Sequence, residues 1–150
     1  MNFDLRELYQ EVIVDHNKNP RNFHAMTGDC RCVEGFNPLC GDKLSLYLKV
    51  EDNVILDASF KGRGCAISTA SASLMTDALK GLSTEQAKEL FERFHKMVTD
   101  DSAEAPQDID KLAVLAGVKD YPARVKCATL AWHTLVAALE QQTNEMVSTE

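Results

Sequence analysis

Between residues 44 and 60 the hydrophobicity alternates twice, with a polar break between the two runs. Leu44, Leu46, Leu48 and Val50 stand against Ser45, Tyr47 and Lys49; then Val54, Leu56, Ala58 and Phe60 stand against Ile55, Asp57, Ser59 and Lys61. Side chains on an extended chain alternate between faces, so each run makes a strand with one apolar side. Glu51-Asp52-Asn53 reads as the turn joining them. The pattern predicts an antiparallel hairpin with one buried face, Val54, Leu56, Ala58 and Phe60 lying on it. Asp29 to Phe36 offers a third strand, more weakly patterned.

After Gly62-Arg63-Gly64-Cys65 the period changes from two to that of a helix. Ile67, Ser71, Leu74, Ala78 and Leu79 share one helical face, closed near Gly81. Ser83 and Gln86 form a capping box for a following helix with the stripe Ala87, Leu90, Phe91, Phe94 and Met97. Ile109 to Ala116 predicts a short helix ending at Gly117, and Pro122 suits the first turn of a last helix reaching about Gln142. At the other end, Leu5, Leu8, Tyr9, Val12 and Ile13 predict a helix over about residues 3–16, with Asp4 and Glu7 as a cap and Asn19-Pro20 as its stop. Early strands and later helices make an α+β fold, a small antiparallel three-stranded sheet against about five helices. The 150 residues suffice for a single domain, with 99–108 as an exposed loop and 143–150 as a C-terminal tail.

The chain carries 16 basic and 23 acidic side chains, a formal net charge of −7. That balance disfavours a nucleic-acid partner, whose phosphates must be neutralised. No apolar run approaches the roughly 20 residues of a membrane helix, and the N-terminus lacks a secretory pattern, so a cytoplasmic protein is expected. Five cysteines, at 30, 32, 40, 65 and 127, are too many and too odd in number for a disulfide framework in that setting. Metal binding or thiol chemistry is the expectation.

Three of them fall where structure changes type. Cys40 lies in the turn Asn37-Pro38-Leu39-Cys40-Gly41-Asp42, Cys65 between hairpin and helix, and Cys127 near the start of the last helix. At about 100° per residue, Val125, Ala128, Thr129, Trp132, Val136 and Leu139 form one stripe, and Cys127 stands off it. Burial in the main core therefore explains Cys127 poorly. Helix N-termini favour thiolate at Cys65 and Cys127, while Gly41 and Gly64 permit close approach or unusual dihedrals. Asp42 can add a carboxylate, so that three thiolates and one oxygen would close a tetrahedral shell around Zn²⁺ or hold iron. The spacings of 25 and 62 residues fit no short zinc-finger template, so three unrelated thiols, two of them buried, stays open on the residues alone.

Further blocks extend the pattern: Gly62-Arg63-Gly64-Cys65-Ala66-Ile67-Ser68 with Ala70-Ser71-Ala72-Ser73, Arg124-Val125-Lys126-Cys127-Ala128-Thr129-Leu130-Ala131-Trp132, and Asn19-Pro20-Arg21-Asn22-Phe23 after Leu8-Tyr9 and Asp15-His16. With the Cys40 turn they resemble the U-type iron–sulfur cluster assembly proteins (IscU, SufU and the N-terminal part of NifU) over about residues 5–140. The resemblance implies Cys40, Asp42, Cys65 and Cys127 as metal ligands and the three cysteines as the cluster-binding set. It implies a pyridoxal-phosphate cysteine desulfurase as persulfide donor, downstream cluster-assembly or acceptor proteins as partners, and Zn²⁺ or a transient [2Fe–2S] cluster at the site. Lys126 stands where the IscU branch has His, and the stretch between Cys65 and Cys127 is longer, as in the SufU branch. The chaperone-recognition motif is altered to Pro122-Ala123-Arg124-Val125-Lys126.

The reading that follows makes Cys40 the sulfur-accepting nucleophile, with Arg63, Arg124 and Lys126 either offsetting the site's negative charge or simply solvated. It leaves open whether the chain acts as a sulfurtransferase-like acceptor or as a non-enzymatic scaffold. A structural zinc domain without sulfur transfer is the alternative. A cysteine hydrolase needs a base near its thiol; His133 lies about 240° round the helix from Cys127, and His16, His24 and His95 have no motif around them. Ser68, Thr69, Ser71 and Ser73 read as close-packing and capping residues. Cys30 and Cys32 would share a strand face; with no further ligands evident in the sequence, incidental surface thiols are the default over an auxiliary metal pair.

Overall fold

A computed structural model describes residues 5–28, 30–38, 41–99, 112, 115, 118, 121–140 and 146–148. Helix α1 spans Leu5–Lys18, followed by strands β1 (Arg31–Asn37), β2 (Asp42–Glu51) and β3 (Val54–Arg63). Helices α2 (Ala66–Leu79), α3 (Thr84–Thr99) and α4 (Pro122–Leu139) complete the α+β order. The three expected strands pair antiparallel, and a short β4 (Met146–Ser148), within the stretch read as a tail, adds parallel to β1; the sheet order is β3-β2-β1-β4. The proposed cap at Asp4 and the loop at 99–108, apart from Thr99 at the end of α3, lie outside the described residues. So does the short helix near 109–116, apart from Leu112 and Leu115, which are buried with Val118 in the core.

The β2–β3 hairpin closes through a two-residue loop, Asp52-Asn53, with both residues at positive φ (51° and 63°). Such a turn matches the twist of the flanking strands, and Asn and Asp tolerate it. Past the turn the register differs from simple alternation. Lys49 pairs with Asp57 but Val50 pairs with Ile55, so Leu56 is an extra residue in β3. This bulge exchanges the faces beyond it: Ile55 is fully buried while Leu56 is 47% exposed. The expected inward placement of Leu56 is therefore corrected; Ala58 and Phe60, on the near side of the bulge, are buried as expected.

One sheet face, carrying Val33, Leu44, Leu46, Leu48, Ala58 and Phe60, packs with side chains of α2, α3 and α4 in one apolar cluster. The α2–α4 contact is held by small residues and one shared hydroxyl. Ser71 Oγ donates to Ala128 O at 2.6 Å and accepts from Trp132 Nε1 at 3.0 Å, while the Trp132 ring stacks on Phe94. Arg31 donates to the carbonyls of Ala138 and Leu139, satisfying the C-terminal end of α4. The Ser83–Gln86 capping box forms reciprocally, at 2.9 and 3.1 Å.

The segment after α1 is pinned to α2. His16 Nδ1 lies 2.7 Å from Ser73 Oγ, which also accepts the Arg21 N–H, and Asn22, at φ 61°, donates to Thr76 Oγ1. His16 thus has a core role, and the Asn19–Phe23 motif is structural in what it touches.

Candidate metal centre

The first strand pair ends where the site begins. Asn37 and Asp42 are register partners at the end of β1–β2, joined by residues 38–41. Gly41 holds φ +73° and its N–H donates to Asn37 O at 2.9 Å, closing the turn in a backbone conformation that glycine adopts freely. Cys40 lies outside the described residues, so three of the four expected ligands are placed.

Those three converge. One carboxylate oxygen of Asp42 and the Sγ atoms of Cys65 and Cys127 all lie within 4.8 Å of one another. Cys65 is the N-cap of α2: its backbone is extended (φ −69°, ψ 168°) and its Sγ accepts the Ser68 N–H at 3.4 Å. The sulfur thus takes the capping place that the sequence assigned to hydroxyl residues. An orphan helix-terminal amide and the positive end of the helix dipole both meet this sulfur.

Asp42 is fully buried and held from two sides. Its Oδ1 accepts the Cys65 N–H at 2.8 Å, and its Oδ2 accepts Asn37 Nδ2 at 3.1 Å. Gly64 makes that approach feasible. A Cβ at residue 64 would fall 2.5 Å from Asp42 Oδ1 and 3.1 Å from its Cβ and Cγ. Gly64 is required for room, Gly41 for its dihedral.

Cys127 differs from expectation. It is fully buried, because α4 is enclosed almost all round: Cys127, Ala128, Thr129, Leu130, Ala131, Trp132, Thr134 and Leu135 are all buried, leaving His133 and Val136 half-buried. The stripe drawn from six residues was too narrow for a central helix. Cys127 is also the sixth residue of α4, past the first turn, so orphan amides do not serve it. Its Sγ accepts Asn37 Nδ2 at 3.5 Å and its thiol donates to Ala123 O at 3.6 Å. It lies outside the main apolar cluster, against polar neighbours.

Asn37 is the residue whose part the sequence reading missed. Fully buried, it donates to both Asp42 and Cys127, fixing two ligands with one amide. The signal was a polar residue in the inward register of Val33 and Gly35. Arg63 is exposed and Lys126 half-buried, and no ion pair between described residues involves either. The remaining histidines sit elsewhere: His24 by Ala25 O, and His95 and His133 in a ring cluster with Phe91.

The donor chemistry fits zinc. Tetrahedral Zn²⁺ with bonds of about 2.3 Å to sulfur puts thiolates about 3.8 Å apart, so the three placed donors need to close by only about 1 Å. Two thiolates and a carboxylate fit iron as well, through sulfur.

The profile of the NifU-like N terminal domain matches residues 8–128, and the chain belongs to that family. It is 42% identical over 134 residues to the zinc-dependent sulfurtransferase SufU of Bacillus subtilis (strain 168), covering 89% of this chain and 90% of that one. It is 41% identical over 140 residues to the iron–sulfur cluster assembly scaffold protein IscU of Streptococcus pyogenes serotype M1, covering 93% and 87%. Among solved structures, a proposed iron–sulfur cluster assembly scaffold for the SUF system from Fervidobacterium islandicum AW-1 superposes with a TM-score of 0.81 at 32% identity, covering 89% of this chain and 98% of that one. No helix among the described residues is long and apolar enough to cross a membrane.

Proposed function

We propose that the chain, as one U-type domain, is a cytoplasmic iron–sulfur cluster assembly protein that accepts persulfide sulfur from a pyridoxal-phosphate cysteine desulfurase. The site is Cys40, Asp42, Cys65 and Cys127, and downstream cluster-assembly proteins take the sulfur on. The observation that carries this is the convergence of Asp42, Cys65 and Cys127, drawn from a strand start, a helix cap and a buried helix. Two long relatives named for zinc-dependent sulfur transfer and for cluster scaffolding support it.

In this reading Asp42, Cys65, Cys127 and Cys40 would hold Zn²⁺, and the ion would keep the thiols deprotonated at neutral pH. The chain's own part is positional. Asn37 and the Cys65 amide orient the Asp42 carboxylate, and the Ser68 amide at the α2 N-terminus holds the Cys65 sulfur. Cys40, in the short loop beside Gly41, supplies the nucleophile. Its thiolate attacks the outer sulfur of the desulfurase persulfide; the donor's S–S bond breaks, the desulfurase cysteine leaves as thiolate, and Cys40 carries the persulfide.

A second reading, assembly of a [2Fe–2S] cluster as cargo on the three cysteines, is favoured by the IscU relative. Anaerobic purification followed by metal analysis and desulfurase turnover separates them. Firmly held zinc with strong stimulation supports the acceptor, and a chromophoric iron cluster supports the scaffold. Zinc retained with no stimulation and an unreactive Cys40 leaves only a structural zinc domain. Cys40→Ala should abolish sulfur acceptance while Asp42, Cys65 and Cys127 remain.

A further inference from the structure

Beside the metal centre the sheet ends in a cluster of bases. Lys43 follows Asp42 on β2 and is the register partner of Arg63 on β3; Lys61, two residues before Arg63, is the partner of Ser45. All three bases are exposed, in the register opposite to buried Leu44 and Leu46. With Leu44, Ser45 and Gly62 they line a shallow groove of about 380 Å³. Glu34, the partner of Ser45 on β1, stands in the same row as Lys61, yet among the described residues no ion pair joins any of the three bases to an acid. A chain of net charge −7 thus gathers three positive charges at one end of one hairpin.

Like charges directly across a ladder repel, so Lys43 and Arg63 weaken the hairpin that carries them. Guarding a sheet edge accounts for bases on β3, the edge strand, but not for Lys43 on the inner strand β2. An anionic partner removes the repulsion. Three bases are too few for a nucleic-acid backbone or a lipid surface, and the acidic remainder of the chain would repel both. A few carboxylates on a protein suffice.

The edge fixes the shape of that partner. Alternate residues of an antiparallel strand turn their N–H and C=O away from the paired strand. Phe60 does so, since its N–H donates to Asn22 O, and Gly62, two residues on, therefore does so too. Asn22 and Phe23 cover the edge at Phe60, but among the described residues no backbone bond outside the ladder reaches Gly62. Lys61 Nζ sits 5.8 Å from the centroid of the Phe23 ring, which is 40% exposed, so apolar surface adjoins the charge. An extended segment laid along this edge finds main-chain partners at Gly62 and turns every second side chain toward Lys61 and Arg63.

We propose that the β3 edge at Lys61–Arg63, together with Lys43, docks an extended acidic segment of the sulfur-donating protein as an added strand beside Gly62. This rests on the reading above that sulfur arrives from a desulfurase. Lys43 adjoins Asp42, and Arg63 stands two residues from the half-buried Cys65, so a donor held here is held at the centre.

The test measures desulfurase turnover against the concentration of zinc-loaded full chain, for the parent and for the double variant Lys43→Glu/Lys61→Glu, which alters no metal donor. Half-maximal stimulation should need roughly 10-fold more of the variant at low salt, with zinc content and maximal turnover unchanged. The gap should narrow at about 1 M salt, where screening reaches down to about 3 Å. Equal half-maximal concentrations at low salt, or a gap that salt leaves untouched, would overturn the proposal. Lys43→Gln/Lys61→Gln repeats the comparison should the charge reversal fail to fold. On the unaltered chain, bound desulfurase should slow hydrogen exchange at the Gly62 amide, and unchanged exchange would refute the added strand. A parent chain that never stimulates the desulfurase would sink the functional reading and this surface together; stimulation that survives both variants sinks the surface alone.

Discussion

Replacing Gly64 with Ala tests the centre through a residue that offers it no donor atom. The added Cβ would fall 2.5 Å from Asp42 Oδ1. A carbon and an oxygen settle near 3.3 Å or beyond, so the carboxylate must retreat by about 0.8 Å. That distance breaks the 2.8 Å bond from the Cys65 N–H to a fully buried carboxylate. Hydrogen bonds to charged groups contribute about 1.5–3 kcal/mol, and about 1.4 kcal/mol is tenfold in affinity, so zinc binding should weaken roughly 10- to 100-fold. Competition against a calibrated chelator measures this, and urea unfolding of the metal-free chain should show a loss of about 1–3 kcal/mol. Zinc affinity within about threefold of the parent, with unchanged metal-free stability, would refute the claim that Gly64 makes room for the ligand.

Asn37→Ala should lower zinc affinity by about 10- to 100-fold, with a shifted Co²⁺ charge-transfer spectrum in the substituted protein; an unaltered spectrum would remove its orienting role. Ile55→Ala should cost about 2–5 kcal/mol in urea unfolding and Leu56→Ser under about 0.5 kcal/mol, the reverse of strict alternation. Burial, then the neighbouring His95, hold the His133 imidazole below its ordinary value. The unfolded chain therefore binds that proton first: the contribution is complete above about pH 6.5 and is lost as pH falls from there through the lowered folded value. The urea midpoint should drop less between pH 7.5 and 5.5 in His133→Gln than in the parent, and equal drops would reject the assignment.

Sequence patterning revealed the hairpin, the α2 and α3 stripes and the Ser83–Gln86 box because each rests on local periodicity or a local bond. The bulge escaped it. Val54-Ile55-Leu56 is apolar at every position, so either of two registers satisfies the alternation, and only pairing with β2 decides. The burial of Cys127, though not its place outside the apolar cluster, was misjudged for a related reason: a helix enclosed on nearly all sides has no single stripe to measure from. Cys65 and Asp42 were legible as candidate donors that the fold brings together, whereas Asn37 was not, because its role depends on facing α4.

The three placed donors differ in how they meet the surroundings. Asp42 and Cys127 are sealed from water, and Cys65 alone is half-open. Asn37 and the Cys65 amide close over Asp42, and Asn37 and the Ala123 carbonyl close over Cys127. Among the described residues, any exchange of bonds at this centre has its way in on the side of Cys65. The protein therefore has a front and a back for chemistry: a visiting thiol could trade places at the front while the rear anchors keep their grip.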